Sequence, residues 1–290
     1  MPESQHPAPP PGLKFKIVPA PESLKEEVEY FRLIEYSGQD ELALHVSLNG
    51  LPGLAFQHTP DGGSAIKNIV TLSGQTVNGQ LPSLFLYGQN SERSVMHQSR
   101  GPFAMTQVML KPHALKTLLG LDAAELTHQL VDLREFSSGE LNDQLFEASG
   151  EQARLDLLTG FLLARQRRVK SGDELVREGL SYLHRNIHSV NVRSLIEHLG
   201  ISQRQFERRF TQSVGLSPQF YIRIRRFMEA LKLMKSGKFE RLTDVAQALN
   251  YYDQSHFIRD VREFSGVSPK DISQRVDDFH AQGGYFQLKT

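Results

Sequence analysis

The C-terminal third of the chain contains a repeat with a spacing of 51 residues. Residues 202–218 match residues 253–269, so that Phe206 corresponds to Phe257, and both copies end in the motif Gly-x-Ser-Pro. In each copy a small polar residue opens the repeat, and an apolar segment with a tight turn precedes it. This layout predicts two helix-turn-helix units in tandem, which makes duplex DNA the leading candidate for a partner.

The charge distribution agrees with a nucleic-acid partner, although the net charge alone does not. The chain has 290 residues and a formal net charge of zero. Residues 173–275 contain 17 Lys and Arg against 12 Asp and Glu, whereas the remainder contains 16 against 21. A basic binding module joined to an acidic sensing or assembly module would show this asymmetry.

The composition also limits the chemistry and the location of the protein. The chain has no cysteine, which excludes disulfides, thiolate nucleophiles and thiolate metal sites. Residues 1–12 are Pro-rich and lack the regions of a secretion signal, so we expect a disordered lead-in. The longest apolar stretch, residues 157–164, is too short to cross a bilayer. We therefore expect a soluble protein without membrane contact, located in the cytoplasm.

The N-terminal part has the pattern of a β domain. Short apolar runs at 29–36, 41–47 and 54–58 are bounded by Gly, Pro, Asp and Asn, and similar runs continue to residue 111. Many short strands at this spacing predict a small barrel or sandwich.

The pattern changes to helical at Pro112. Start and stop signals predict three helices, from Pro112 to Gly120, over Ala123–Leu133, and from about Gly139 to Lys170. Ser171 and Gly172 then mark a domain boundary. The third helix carries an apolar stripe, which either packs within the chain or forms a contact between two copies.

The first repeat predicts a helix with one polar face. Ser202 is a suitable N-cap, because its hydroxyl can accept a free backbone N–H. With Phe206 at the centre of the buried stripe, helical periodicity places Arg204 and Arg208 on the opposite side, with Glu207 beside them. Arginine can bridge O6 and N7 of guanine, and glutamate can accept from N4 of cytosine.

The second repeat predicts the same geometry. Asp253 is the N-cap and Phe257 is buried, which turns Ser255 and Arg259 outward. Ile258 could contact a thymine methyl group on that face, or it could be an ordinary exposed aliphatic residue. The outward arginines of both helices could instead pair with local carboxylates.

A connecting helix between the units is predicted from Ser217 to about Lys235. Its eighteen residues would span about 27 Å, enough to hold two recognition helices roughly one DNA turn apart. Arg223, Arg225 and Arg226 on it could contact phosphate or face solvent. The candidate DNA-contacting residues are Gln203, Arg204, Glu207, Arg208, Thr211, Gln254, Ser255, Ile258, Arg259 and Arg262.

Residues 173–275 resemble the AraC/XylS family of bacterial transcription regulators. The resemblance rests on Ser-x-Arg-x-Phe-x-Arg-Arg-Phe at 202–210, on Ser-x-Phe-x-Arg at 255–259, and on the two Gly-x-Ser-Pro motifs. It implies a cytoplasmic regulator, most often an activator, whose two helix-turn-helices enter successive major grooves of promoter DNA. RNA polymerase and a second copy of the chain are the further partners it implies. Asn250 replaces the usual turn glycine, but asparagine tolerates the left-handed conformation.

The N-terminal part is less specifically similar to the effector domains of this family, which are small cupin-like barrels. The similarity rests on residues 86–89 and 108–115. It implies a barrel that binds a small-molecule effector, followed by helices that mediate dimerisation. Residues that could line a pocket, or could be ordinary barrel core, are Phe31, Tyr36, Phe56, Tyr87 and His97.

These patterns together predict an α+β multidomain protein that regulates transcription. A small cupin-like β-barrel with following helices would occupy residues 13–138 and a helical linker residues 139–172. The all-α tandem helix-turn-helix domain would occupy residues 173–276, followed by a tail over 277–290.

The alternative is a metal-dependent or sugar-modifying barrel enzyme fused to a DNA-binding domain, and stoichiometric bound iron, manganese or zinc would favour it. The sequence has no Gly-rich phosphate loop and no clear metal-ligand set, so we expect no enzyme activity, catalytic residue, cofactor or metal. His184 and His188 have a metal-compatible spacing but no evident third ligand. An architectural DNA binder without sequence preference is a third possibility.

Overall fold

The structure, a computed structural model, has a β-rich N-terminal domain, a set of intervening helices and an all-helical C-terminal domain. The predicted α+β fold class is therefore confirmed. Residues 1–9 of the predicted lead-in lie outside the described residues. The described residues are 10–79, 81–135, 139–168, 172–237, 239, 241–273 and 284–288.

The β domain consists of two antiparallel sheets. One has six strands in the order β1-β2-β9-β4-β7-β10, and the other has five in the order β11-β3-β8-β5-β6. Among the described strands, no pairing joins one sheet to the other, so a two-sheet arrangement is seen rather than a hydrogen-bonded closed barrel. The strands are β1 (Leu13–Pro19), β2 (Val28–Tyr36), β3 (Leu42–Val46), β4 (Gly53–His58), β5 (Ile66–Thr71), β6 (Thr76–Asn78), β7 (Leu84–Tyr87), β8 (Ser94–Gln98), β9 (Phe103–Leu110), β10 (Leu130–Asp132) and β11 (Gly284–Leu288).

The six-stranded sheet has an apolar core on each of its faces. In β2, Ile34 and Tyr36 point into the core between the two sheets, whereas Phe31 and Leu33 pack toward the following helices. Adjacent side chains of a strand point to opposite faces, so the near-continuous burial of β2 is the mark of a strand covered on both sides.

Three helices cover the outer face of this sheet. They are α1 (Ala114–Leu119), α2 (Glu140–Glu147) and α3 (Glu151–Gln166). The predicted helix between Pro112 and Gly120 is confirmed as α1, and Gly120 ends it in the left-handed region at φ +70°. The single helix predicted from Gly139 to Lys170 is wrong. Ala148 is extended and Gly150 has φ +97°, which separates α2 from α3, and Lys170 lies outside the described residues.

The predicted helix over Ala123–Leu133 is also wrong. The segment consists of turns, strand β10 and a 3-10 turn at Leu133–Glu135. Its backbone groups bond to distant partners: the amide of Ala123 donates to the Gln212 carbonyl at 2.8 Å, and that of His128 donates to the Gln89 carbonyl at 2.9 Å. Tertiary contacts therefore override the local helical preference of this segment.

The C-terminal domain has seven helices within the described residues and a single apolar core. Phe206 and Phe210 from the first repeat, Phe257 and Phe264 from the second, and residues of the connecting helix all belong to that core. The helices are α4 (Glu174–Arg185), α5 (Val192–Leu199), α6 (Gln203–Val214), α7 (Pro218–Lys235), α8 (Leu242–Ala248), α9 (Gln254–Ser265) and α10 (Pro269–Ser273).

The end of the chain returns to the N-terminal domain. Residues 277–290 were assigned only as a tail, yet β11 pairs antiparallel with β3 along its whole length. Phe286 of β11 is 5 % exposed and lies in the core between the two sheets. The rings of Tyr285 and His45 stack with their centroids 4.5 Å apart. The β domain therefore contains residues from both ends of the sequence.

Over the described residues, the helices are too short or too polar to span a membrane.

Candidate nucleic-acid interface

The first helix-turn-helix unit consists of α5, a turn and α6. Gly200 ends α5 in the left-handed region at φ +64°, and the Ser202 hydroxyl accepts from the backbone N–H of Gln205 at 3.3 Å. Phe206 and Phe210 are fully buried on one side of α6. The predicted N-cap and buried stripe are therefore confirmed, and the opposite side of α6 remains at the surface.

The exposed side of α6 contains the residues that are predicted to contact DNA. Gln203, Arg204, Glu207 and Arg208 are exposed, and Thr211 is half-buried. The Gln203 side-chain amide donates to Glu207 Oε1 at 2.8 Å, one helical turn away. This bond orients the Glu207 carboxylate while leaving it accessible.

The second unit, α8 and α9, repeats this construction. Asn250 in the turn has φ +54°, which confirms that asparagine adopts the conformation for which glycine is more usual. The Asp253 carboxylate accepts from the backbone N–H of His256 at 2.7 Å and caps α9. Phe257, Val261 and Phe264 are fully buried, as predicted.

The outer face of α9 is formed by the same positions of the repeat as that of α6. Gln254, Ser255, Arg259 and Arg262 are exposed, and Ile258 is half-buried. Among the described residues, no ion pair within 4 Å involves the arginines of the two outer faces. The alternative that Arg208 and Arg259 pair with local carboxylates is therefore not realised in this part of the chain.

The connecting helix α7 is 18 residues long and begins at Pro218, as predicted. Two of its three central arginines have partners inside the domain. Arg223 bonds to Asp260 Oδ1 at 2.7 Å and to Glu263 Oε2 at 2.6 Å, and Arg226 Nη2 donates to the Val190 carbonyl at 2.5 Å. These contacts join α7 to α9 and to the segment before α5, so Arg223 and Arg226 are structural.

The charged groups inside the domain have shifted pKa values for identifiable reasons. Burial lowers the pKa of Arg226, because the charged guanidinium loses solvent. Asp173, the N-cap of α4, behaves differently. Burial raises the pKa of its carboxyl, but hydrogen bonds from Arg209 and from the backbone amides of Val176 and Leu175 outweigh this effect and lower it. The Asp173–Arg209 pair, at 2.7 Å, thereby holds α6 against α4.

The β domain contains a cavity of about 130 Å³ between its two sheets. Its walls come from both sheets, from the loop at residues 47–51 and from residues 128–130. Of the five residues proposed as pocket lining, Tyr87 is in the wall, whereas Phe31, Tyr36 and Phe56 belong to the apolar cores and His97 lies outside the lining. The wall also contains three buried polar residues that were not predicted from the sequence, Arg32, Gln89 and Gln107.

His184 on α4 and His188 in the turn after it both contact other parts of the protein. His184 Nε2 lies 3.2 Å from the Tyr221 hydroxyl, and His188 Nδ1 lies 3.0 Å from the Ala248 carbonyl oxygen. The first contact joins α4 to the core residue Tyr221, and the second joins the turn after α4 to α8.

Residues 195–275 match the sequence model of a family described as a helix-turn-helix domain. The chain carries an AraC-type helix-turn-helix domain. The resemblance drawn from the repeat motifs is thereby confirmed. Residues 16–132, upstream of the AraC-type domain, match a second family, described as a domain of unknown function (DUF6597).

The curated relatives that this chain matches are named as transcriptional activators. The HTH-type transcriptional activator RhaS of Escherichia coli strain SE11 is 31 % identical over 156 residues, which cover 52 % of this chain and 54 % of the relative. RhaS of strain K12 / DH10B has the same identity and coverage. The chain thus spans about half the length of the curated relatives it matches.

Two solved structures illustrate the similarity to proteins of known structure. ToxT from Vibrio cholerae O395 is 13 % identical, with 91 % of this chain and 98 % of that chain covered and a TM-score of 0.47. The C-terminal domain of AraT, a response regulator from Geobacillus stearothermophilus, is 22 % identical, with 36 % and 86 % covered and a TM-score of 0.34.

Proposed function

We propose that this protein is a sequence-specific DNA-binding regulator of transcription, of the activator type. In this proposal α6 and α9 enter successive major grooves of promoter DNA, and the β domain binds a small-molecule effector or mediates dimerisation. The observation that supports it most strongly is the pair of matched outer faces, in which Arg208 and Arg259 are exposed at equivalent positions of the repeat. The relatives named as activators support the same function.

Base reading is assigned to the residues of these faces by their chemistry. Arg204, Arg208 and Arg259 can each bridge a guanine, the oriented Glu207 can accept from a cytosine, and Ile258 can contact a thymine methyl group. The connecting helix has a length of about 27 Å at 1.5 Å per residue, which suits two helices about one DNA turn apart. Gln203, Thr211, Gln254, Ser255 and Arg262 complete the proposed contact set.

The proposal extends to the organisation of the protein. The β domain would occupy residues 13–138 together with strand β11, a helical linker for a homodimer residues 139–172, and the DNA-binding domain residues 173–276. RNA polymerase would be a further partner, the cytoplasm the location, and catalysis would have no part in the function. Sedimentation equilibrium of the full chain tests the dimer, since a mass of one chain at micromolar concentration would contradict it.

The proposed function is tested by selecting duplexes from a random pool with the full-length protein. We expect enrichment of one sequence class, with an affinity several orders of magnitude above that for bulk DNA. We also expect the affinity to fall steeply as the salt concentration rises, because phosphate contacts release counterions. Equal affinity for selected and bulk DNA would favour an architectural binder instead, and a flat salt response would contradict the assigned faces.

Arg208→Ala is expected to weaken binding to the selected duplex by about 1–3 kcal/mol, because one bidentate contact to a base is lost. The discrimination at a single base position should relax at the same time. Fluorescence anisotropy titrations with the selected duplex and its single-base variants measure both effects.

A matched control for this substitution is Arg193→Ala. Arg193 is an exposed arginine of α5 that pairs with Glu197 and lies outside the proposed contact set. Arg193→Ala should leave the affinity for the selected duplex and the discrimination between its single-base variants unchanged. If Arg208→Ala weakens binding to selected and bulk DNA by the same factor, Arg208 contacts phosphate rather than a base.

A further inference from the structure

The two recognition helices, α6 and α9, both end against the β domain. Each is followed by a glycine in the left-handed region, Gly215 at φ +87° and Gly266 at φ +83°. These glycines occupy equivalent positions of the 51-residue repeat. The last carbonyl groups of a helix have no partner within it, so donors from elsewhere can bond to them.

The first docking site, Ala123 with Thr127, bonds to the end of α6. The backbone N–H of Ala123 donates to the Gln212 carbonyl at 2.8 Å, and the Thr127 hydroxyl donates to the Gly215 carbonyl at 2.7 Å. The approach is close, since a Cβ at Gly215 would lie 2.9 Å from the Ala123 carbonyl oxygen. Only glycine fits at this position without displacing the β domain.

The second docking site, Leu48 with Arg93, bonds to the end of α9. Arg93 Nε donates to the Glu263 carbonyl at 2.9 Å, and the backbone N–H of Leu48 donates to the Phe264 carbonyl at 3.1 Å. A Cβ at Gly266 would collide with the Arg93 guanidinium. The Leu48 side chain is 4 % exposed and packs into the core of the C-terminal domain.

The two docking sites bond to backbone carbonyls at the same position of the repeat. Gln212 and Glu263 are equivalent residues, 51 positions apart, and each carbonyl accepts from a donor of the N-terminal half of the chain. The outward-facing residues near the start of both helices stay exposed. Docking therefore leaves the proposed DNA-contacting faces open.

We propose that the β domain docks both helix-turn-helix units at once, through these equivalent carbonyls, and that the units dock and undock together. The cavity of the β domain lies beside both sites, because its walls include Leu48 of the second site and His128–Leu130, which directly follow Thr127 of the first. A molecule bound there would act on both units together. This regulatory meaning rests on the proposed function, whereas the docking itself does not.

Amide hydrogen exchange of the full-length protein tests the proposal, because the amides of Leu48 and Ala123 donate across the two sites. Arg93→Met removes one hydrogen bond at the second site. If docking is cooperative, exchange should become about 2- to 12-fold faster at Ala123 as well as at Leu48. Thr127→Val, at the first site, should in turn accelerate exchange at Leu48.

Two control variants carry the same replacements at exposed positions of the β domain, Arg100→Met and Thr76→Val. Neither should change exchange at Leu48 or Ala123. Acceleration confined to the altered site in both test variants would overturn the proposal, since the sites would then open independently. Thr127→Val is a near-isosteric change and decides the question even if Arg93→Met fails to fold. The measurement needs no DNA, so its failure is distinct from a failure of the proposed function.

Discussion

Replacing Phe286 with alanine is expected to lower the free energy of unfolding by about 3–5 kcal/mol, the usual cost of truncating a buried phenylalanine. Phe286 belongs to the C-terminal strand β11 and is 5 % exposed. It packs in the core between the two sheets, with Leu42 and Leu44 of the neighbouring strand β3 in the same core. The loss should therefore appear in the N-terminal domain, although the substitution is near the C-terminus.

Urea unfolding followed by circular dichroism measures this effect, because the chain has no tryptophan. Gln287→Ala is the matched control, since Gln287 lies on the same strand and is exposed. A second variant, Gly284→Val, should also be destabilising, because a side chain at Gly284 would collide with the His45 carbonyl oxygen and prevent β11 from pairing. A loss for Phe286→Ala no larger than that for Gln287→Ala would show that β11 does not contribute to the core in solution.

Arg223→Met is expected to destabilise the C-terminal domain by about 3–5 kcal/mol, because it leaves a buried carboxylate without its main counter-ion. The side chain of Asp260 is 0 % exposed, and Arg223 bonds to it at 2.7 Å from the connecting helix. Of the ion pairs that Asp260 forms within 4 Å among the described residues, the one with the His256 imidazole, at 3.7 Å, would remain. Methionine preserves most of the apolar packing, so the change removes chiefly the charge and the hydrogen bonds of the guanidinium.

Arg193→Met provides the contrast, because Arg193 and Glu197 form an ion pair whose side chains are 86 % and 61 % exposed. Such a pair contributes less than about 1 kcal/mol. Thermal and urea unfolding of both variants measure the difference. Equal and small losses would mean that Arg223 does not stabilise the position of α9 against α7.

The helix-turn-helix units could be predicted closely because their determinants are local. Ser202 and Asp253 cap the helices that follow them, and Gly200 and Asn250 adopt positive φ in the turns. Such signals act within a few residues, so they can be recognised in the sequence before any tertiary contact is known. The buried and exposed faces of α6 and α9 follow from helical periodicity for the same reason.

The predictions that were wrong concern features that depend on distant contacts. The segment Ala123–Leu133 has helical composition, but it forms turns and a strand because Gln89 and Gln212 provide distant partners for its backbone. The predicted pocket residues were aromatic, yet the cavity wall contains buried polar residues such as Arg32 and Gln107. Neither outcome is encoded within a short window of sequence.

Local patterns of capping residues, glycines and apolar spacing were thus sufficient to predict two matched helix-turn-helix units and a β-rich N-terminal domain. Three features depended on the folded chain: the return of β11 to β3, the ion pairs that occupy Arg223, and the docking of both recognition helices on the β domain. Each joins residues far apart in sequence through backbone carbonyls or buried charges, for which a chain offers many equivalent partners. Such groups acquire a specific partner only when packing of the whole molecule brings one pair together and removes the rest.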